Sequence, residues 1–119
     1  MALSDIYGVL GQYSEIAHEQ LDIDGTSGGV ALTAANYTGR SDNSEVVGAL
    51  IEIETAEVRV SADSSTPLEA DGTDGSRKKS IGDSFVVMNI DSLTNFRAIR
   101  TGSTSADGQV TYFGRKSGS

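Results

Sequence analysis

The clearest pattern in the chain is a run of alternating apolar and polar positions, "EVVGALIEIETAEVRVSA" at residues 45–62. Leu50, Ile51 and Ile53 sit among glutamates, and then Ala56, Val58 and Val60 alternate with Glu57, Arg59 and Ser61. Period-two alternation sets one row of side chains against a core and leaves the other wet, as in an antiparallel sheet. Shorter runs predict further strands: "VALTAANYT" (30–38), "SFVVMNI" (84–90), "NFRAIRT" (95–101) and "GQVTYFG" (108–114). The last two read as a closing hairpin across a loop of Gly, Ser, Thr, Ala and Asp. Phe96, Ala98 and Arg100 share one face and Arg97, Ile99 and Thr101 the other, while Val110 and Tyr112 oppose Thr111 and Phe113. Apolar groups on both faces fit strands in the middle of a sandwich or at a subunit contact.

Residues 3–17 break the alternation. Leu3, Ile6, Tyr7, Leu10, Tyr13, Ile16 and Ala17 recur at spacings of three and four, which is one face of a helix. Gly8 and Gly11 argue against a helix, since each costs about 1 kcal/mol relative to alanine there. The alternative is an extended arm that lays its apolar residues on a neighbour, and both readings stand. "DIDGTSGG" (22–29) is a turn-rich linker that divides an N-terminal arm or helix, residues 1–24, from a β domain, residues 25–119. "TPLEADGTDGSRKKSIGDS" (66–84) holds Pro67, Asp-Gly turns and a basic triplet, and reads as a hairpin tip or a long loop. The expected fold is all-β: an antiparallel β-sandwich, jelly-roll-like, of about seven or eight short strands.

Composition narrows the function classes. With 119 residues the chain fits one domain that can bury a core. Its apolar fraction, 37%, is low, and Gly, Ser and Thr make up about a third of it. That mixture suits short strands with many turns, or a domain whose burial is completed by partners. The absence of cysteine excludes disulfides, thiolate metal sites and a cysteine nucleophile. "MALSDIYGVLGQY" has neither a basic n-region nor a continuous apolar stretch, so no secretory signal is expected. No run approaches the roughly 18 apolar residues of a membrane span, and synthesis in a cytoplasm is expected. Residues 1–76 carry fourteen of the seventeen acids and two of the nine bases. The acidic majority disfavours direct nucleic-acid binding, while the basic C-terminal third could meet an acidic protein surface.

Candidate chemistry is sparse. His18, the single histidine, has no nucleophile motif around it and reads as a surface residue. "DIDGTSGG" and "ADGTDGS" offer oxygen ligands for calcium, but Gly25 falls at position four after Asp22, unlike an EF-hand loop. Their acids are expected to shape turns. Glu52 and Glu54 share a strand face, with Glu57 nearby, but a glycosidase pair would lack tryptophan platforms. "SRKKS" (76–80) reads as a solvated basic loop that could also grip an acidic surface, and the "NYT" sequon carries no weight without a signal peptide. No glycine-rich nucleotide motif occurs. The reading is of a non-enzymatic protein with no cofactor and no metal.

The order of segments over residues 45–114 resembles small virion proteins of tailed bacteriophages. "IEIETAEVRVSAD" is followed by a "TP" loop with Gly and Asp turns, a "GDS" turn before a short strand, then "FRAIR-TG" before a terminal "VTYF". Within that group the likeness is to capsid decoration, or cement, proteins. The resemblance implies a virion protein on the capsid surface, with the major capsid protein and further copies of itself as partners, a trimer favoured over a dimer. It implies a mechanical role, bridging neighbouring capsomers. Ile6, Tyr7, Leu10 and Tyr13 of the arm and Arg77, Lys78 and Lys79 of the basic loop are the contact residues this role would use. Deletion of residues 1–20 is then expected to release the protein from capsids without unfolding the β body. The alternatives are a tail or head-fibre module, structural or adhesive, and a carbohydrate-binding β-sandwich.

Overall fold

The computed structural model describes residues 13–63 and 68–116. It is all-β and antiparallel, as expected, with seven strands and one short α-helix. In chain order these are β1 (Ser14–Ile23), β2 (Glu45–Glu54), β3 (Val58–Ser61), β4 (Arg77–Lys79), β5 (Ser84–Met88), α1 (Ile90–Asn95), β6 (Arg97–Arg100) and β7 (Ala106–Arg115). One sheet has the order β1-β7-β2-β5 and the other β4-β3-β6. Their inner faces share one core, with Ile23, Ala49, Ile51, Ile53, Val110 and Tyr112 on one side and Val58, Val60 and Ala98 on the other.

The alternating run at 45–62 is two strands rather than one. Ala49, Ile51 and Ile53 point inward from β2, and Val58 and Val60 from β3. Between them Thr55 takes a φ of +78°, and its hydroxyl donates to Asp107 Oδ2 at 2.8 Å. This corner carries the chain from one sheet to the other. The alternation passes straight through it, so both strands face the same core from opposite sides.

Three local expectations are corrected. Residues 14–17, read as the end of a helix or arm, belong to β1, which pairs with β7 from Ser14–Gly114 to Ile23–Ala106. Leu21 and Ile23 are buried while His18, Gln20 and Asp22 face water, so the period along this stretch is two. Removing residues 1–20 would therefore strip most of an edge strand from the sheet. Residues 30–38 are not a strand: Val30 bridges Ala98, and Ala34–Asn36 form a single 3-10 turn. Residues 95–115 are not a hairpin either, because β6 pairs with β3 and β7 with β1 and β2. Phe96 and Ala98, like Ala106 and Val110, turn into the common core, and that burial outweighs local pairing.

Residues 89–95 hold an element that the alternation concealed. Asn89, at φ +69°, ends β5, and its side chain accepts a hydrogen bond from Ser92 N–H at 3.0 Å. This N-cap starts α1, which buries Leu93.

Candidate functional site

The two flanks of the sandwich differ. On the β6 side residues 24–30 close the gap: Val30 and Ala98 exchange backbone hydrogen bonds of 2.7 and 3.0 Å, and Arg100 N–H donates to the Asp24 carbonyl. The opposite flank, between edge strands β4 and β5, is an open groove of about 430 Å³. Phe85 and Phe96 form part of its lining, their rings stacked with centroids 6.1 Å apart. Arg77 and Lys79 stand on its rim, and Lys79 Nζ lies 5.2 Å over the Phe85 ring.

The basic triplet is thus a strand and not a loop. Arg77, Lys78 and Lys79 are the whole of β4, paired with Val60, Arg59 and Val58. Because Val58 and Val60 point into the core, Arg77 and Lys79 project to the same side, towards β5. Lys78 projects to the other side and meets the Glu57 carboxylate at 3.8 Å. Asp83, the acid of the turn joining β4 to β5, accepts from Ser80 N–H at 2.7 Å.

Tyr13 lies elsewhere, on the outer face of the four-stranded sheet. There Leu50 and Phe113 are buried, with Tyr13, Val86 and Met88 packed half-buried around them. Gly48 makes this possible, since a Cβ there would come within 2.6 Å of Met88 Sδ. Arg115 stacks its guanidinium 5.1 Å over the Tyr13 ring and donates to Glu45 at 2.9 Å. The remainder of this face is acidic and polar, with Asp22, Asp107 and Glu54 in register across three strands. Ile6, Tyr7 and Leu10 lie outside the described residues.

A third cluster is polar and fixes the body. Glu19 on β1 accepts hydrogen bonds from the Tyr112 hydroxyl at 2.5 Å, Asn36 Nδ2 at 2.8 Å, the Thr33 hydroxyl at 2.8 Å and Thr33 N–H at 3.3 Å. Burial draws the Glu19 carboxyl upward, but these donors outweigh it and hold it below the usual carboxylate range. Burial, and then the Glu19 carboxylate, push the Tyr112 hydroxyl far above its usual value. The cluster pins residues 33–37 over the sheet, where Tyr37 packs against Tyr112 with ring centroids 6.1 Å apart.

The remaining candidates are spread apart. His18 is exposed on β1, opposite Thr111. Glu52 and Glu54 face outward from β2, and Glu54 accepts from Gln109 Nε2 at 3.0 Å. Asp24, Asp71 and Asp74 each accept a backbone N–H two residues ahead, at 2.9–3.1 Å, so their oxygens serve turns. Among the described residues no group of three or more His, Asp or Glu is placed to hold a metal.

The groove and the outer apolar cluster were missed as sites in the sequence. Their trace is there in "GALIEI", "SFVVM" and "VTYF", where large apolar residues occupy both parities of a strand. No protein-family model matches the chain, no curated protein matches it, and no solved structure matches it.

Proposed function

We propose that the protein is a non-enzymatic structural component of a tailed-phage virion that binds the outer surface of the capsid and cross-links neighbouring capsomers. It acts as a homo-oligomer, a trimer, with the major capsid protein as its partner. The likeness of residues 45–114 to decoration proteins motivates the reading. One structural observation carries it: the central strands β2 and β7 are apolar on both faces. The inner face packs the shared core, while Leu50 and Phe113 build a second cluster on the outer face. A free-standing sandwich needs only the first of these faces dry. The N-terminal segment joins the body at Tyr13, on the rim of that outer cluster. Apolar side chains that become fully buried in a contact contribute about 1.5–3 kcal/mol each, and repetition around an oligomer multiplies them.

The test is the copy number of the chain in gradient-purified particles, measured by quantitative mass spectrometry. A number equal to that of the major capsid protein, or a simple fraction of it, supports decoration. A handful of copies per particle moves the protein to the tail or a head fibre, and none removes the virion reading. Deletion of residues 1–12, which leaves Tyr13 and β1 in place, is expected to weaken attachment and spare the fold.

A further inference from the structure

The flank between β4 and β5 combines three properties that a merely solvated edge does not need. The first is a strand with one unpaired edge, β5. Asp83 C=O accepts from Ile53 N–H at 3.0 Å and Asn89 N–H donates to Val47 C=O at 2.8 Å, so the odd-numbered positions of β5 bond to β2. Alternation then turns the N–H and C=O of Ser84, Val86 and Met88 away from β2, and among the described residues no backbone group closes that side.

The second property is the chemistry of that edge. Natural edge strands are commonly blunted by charge, and β4, three bases in a row, is. β5 reads Ser-Phe-Val-Val-Met and carries no charge at all. The third is the groove beside it, with the Phe85 and Phe96 rings within and Arg77 and Lys79 above. Lys78 has Glu57 as an ion-pair partner, whereas among the described residues Arg77 has no carboxylate partner and Lys79 has only the Phe85 ring.

We propose that this flank is a strand-docking site, which takes an extended acidic segment of a partner protein by adding it to the free edge of β5. Side chains of an added strand alternate between the groove and the outer face. Positions facing the groove would carry carboxylates to meet Arg77 and Lys79. The intervening positions would be apolar and extend the cluster at Val86 and Met88. Five residues of β5 give an edge of about 17 Å, enough for two or three such carboxylates. A second copy pairing β5 to β5 about a two-fold axis would bring Arg77 and Lys79 towards their own counterparts, so the charges favour a different chain. The inference rests on the proposed function only in treating the Arg77–Lys79 edge as a contact surface, and not on which particle bears the partner.

The test uses the full chain and two short blocked peptides, one alternating valine with glutamate and one alternating valine with lysine. Titration calorimetry should show binding of the first and at least about tenfold weaker binding of the second. Hydrogen exchange at the Val86 amide should slow when the first is bound. Val86→Pro, which removes the edge donor, and the double reversal Arg77→Glu, Lys79→Glu should each weaken it at least about tenfold. The charge reversal keeps the strand pairing, so it decides the matter if the proline variant does not fold. No binding at millimolar peptide, equal binding of the two peptides, or a Val86 amide already protected in a dimer without peptide would each overturn the proposal. None of these results touches the copy number, so the capsid reading stands or falls separately.

Discussion

The Tyr112 hydroxyl donates to Glu19 Oε2 at 2.5 Å, tying the strand nearest the C-terminus to the first edge strand from inside the sandwich. Tyr112 is fully buried and Glu19 is half-buried, so the bond lies where the sheet meets the 33–37 segment. Tyr112→Phe keeps the ring and removes the donor. It is expected to destabilise the fold by about 1–2 kcal/mol, read as a lower urea midpoint with an unchanged slope.

Acid should weaken the fold through the same carboxylate. The folded Glu19 carboxyl lies below its usual range, so its contribution is complete above that range and fades as pH falls through the folded value. Asp42 acts with the same sign. Ser44, through its side chain and then its backbone, and Arg40 hold Asp42 down to about 2. Thermal midpoints should therefore decline from about pH 4.5 towards pH 2, the window between ordinary carboxylates and Asp42. Glu19→Gln is expected to make that decline shallower, because one of the carboxylates held below its usual range is gone.

Gly114 sits where β7 crosses the irregular register of β2, and a Cβ there would run into the Glu45 carbonyl. Neither atom is the end of a flexible side chain, so backbone must move. Gly114→Ala should cost about 1–3 kcal/mol or more, whereas Gly102→Ala, with open space around it, should stay within about 0.5 kcal/mol. Chemical denaturation of the two variants side by side separates steric crowding from the intrinsic effect of the substitution.

Asn89 does two jobs, taking φ +69° and capping α1 through Ser92 N–H. Asn89→Gly should lose only the cap, a few tenths of a kcal/mol, since glycine accepts that backbone. Asn89→Ala loses the cap and adds left-handed strain, for about 1–3 kcal/mol in all. Equal melting temperatures for the two variants would show that the φ value carries no cost.

The strands were legible where alternation and burial agree, as at Ile51 and Ile53 in β2 and at Val110 and Tyr112 in β7. They were not legible where a tertiary partner decides. Ile16 and Ala17 extend a helical spacing, yet pairing with β7 turns the stretch from Ser14 into a strand. Arg77, Lys78 and Lys79 look like a loop because all three are charged, yet β3 offers a complementary edge and three residues suffice to fill it. Val30 through Thr38 has strand residues, but Thr33 and Asn36 are held by Glu19, fourteen or more positions away. The groove was invisible for the same reason: Phe85 and Phe96 belong to separate runs, and only the fold brings their rings to 6.1 Å.

β7 is the last of the described strands, yet it lies between β1 and β2. Among the described residues β1 has no other strand partner, so it stays unpaired until β7 has been made. Folding of the four-stranded sheet therefore waits for β7. A truncation just before β7 would leave β1 without a strand partner among the described residues, while β2 keeps β5. The slow step in refolding should be the long-range closure of β1 on β7, not the formation of any local hairpin.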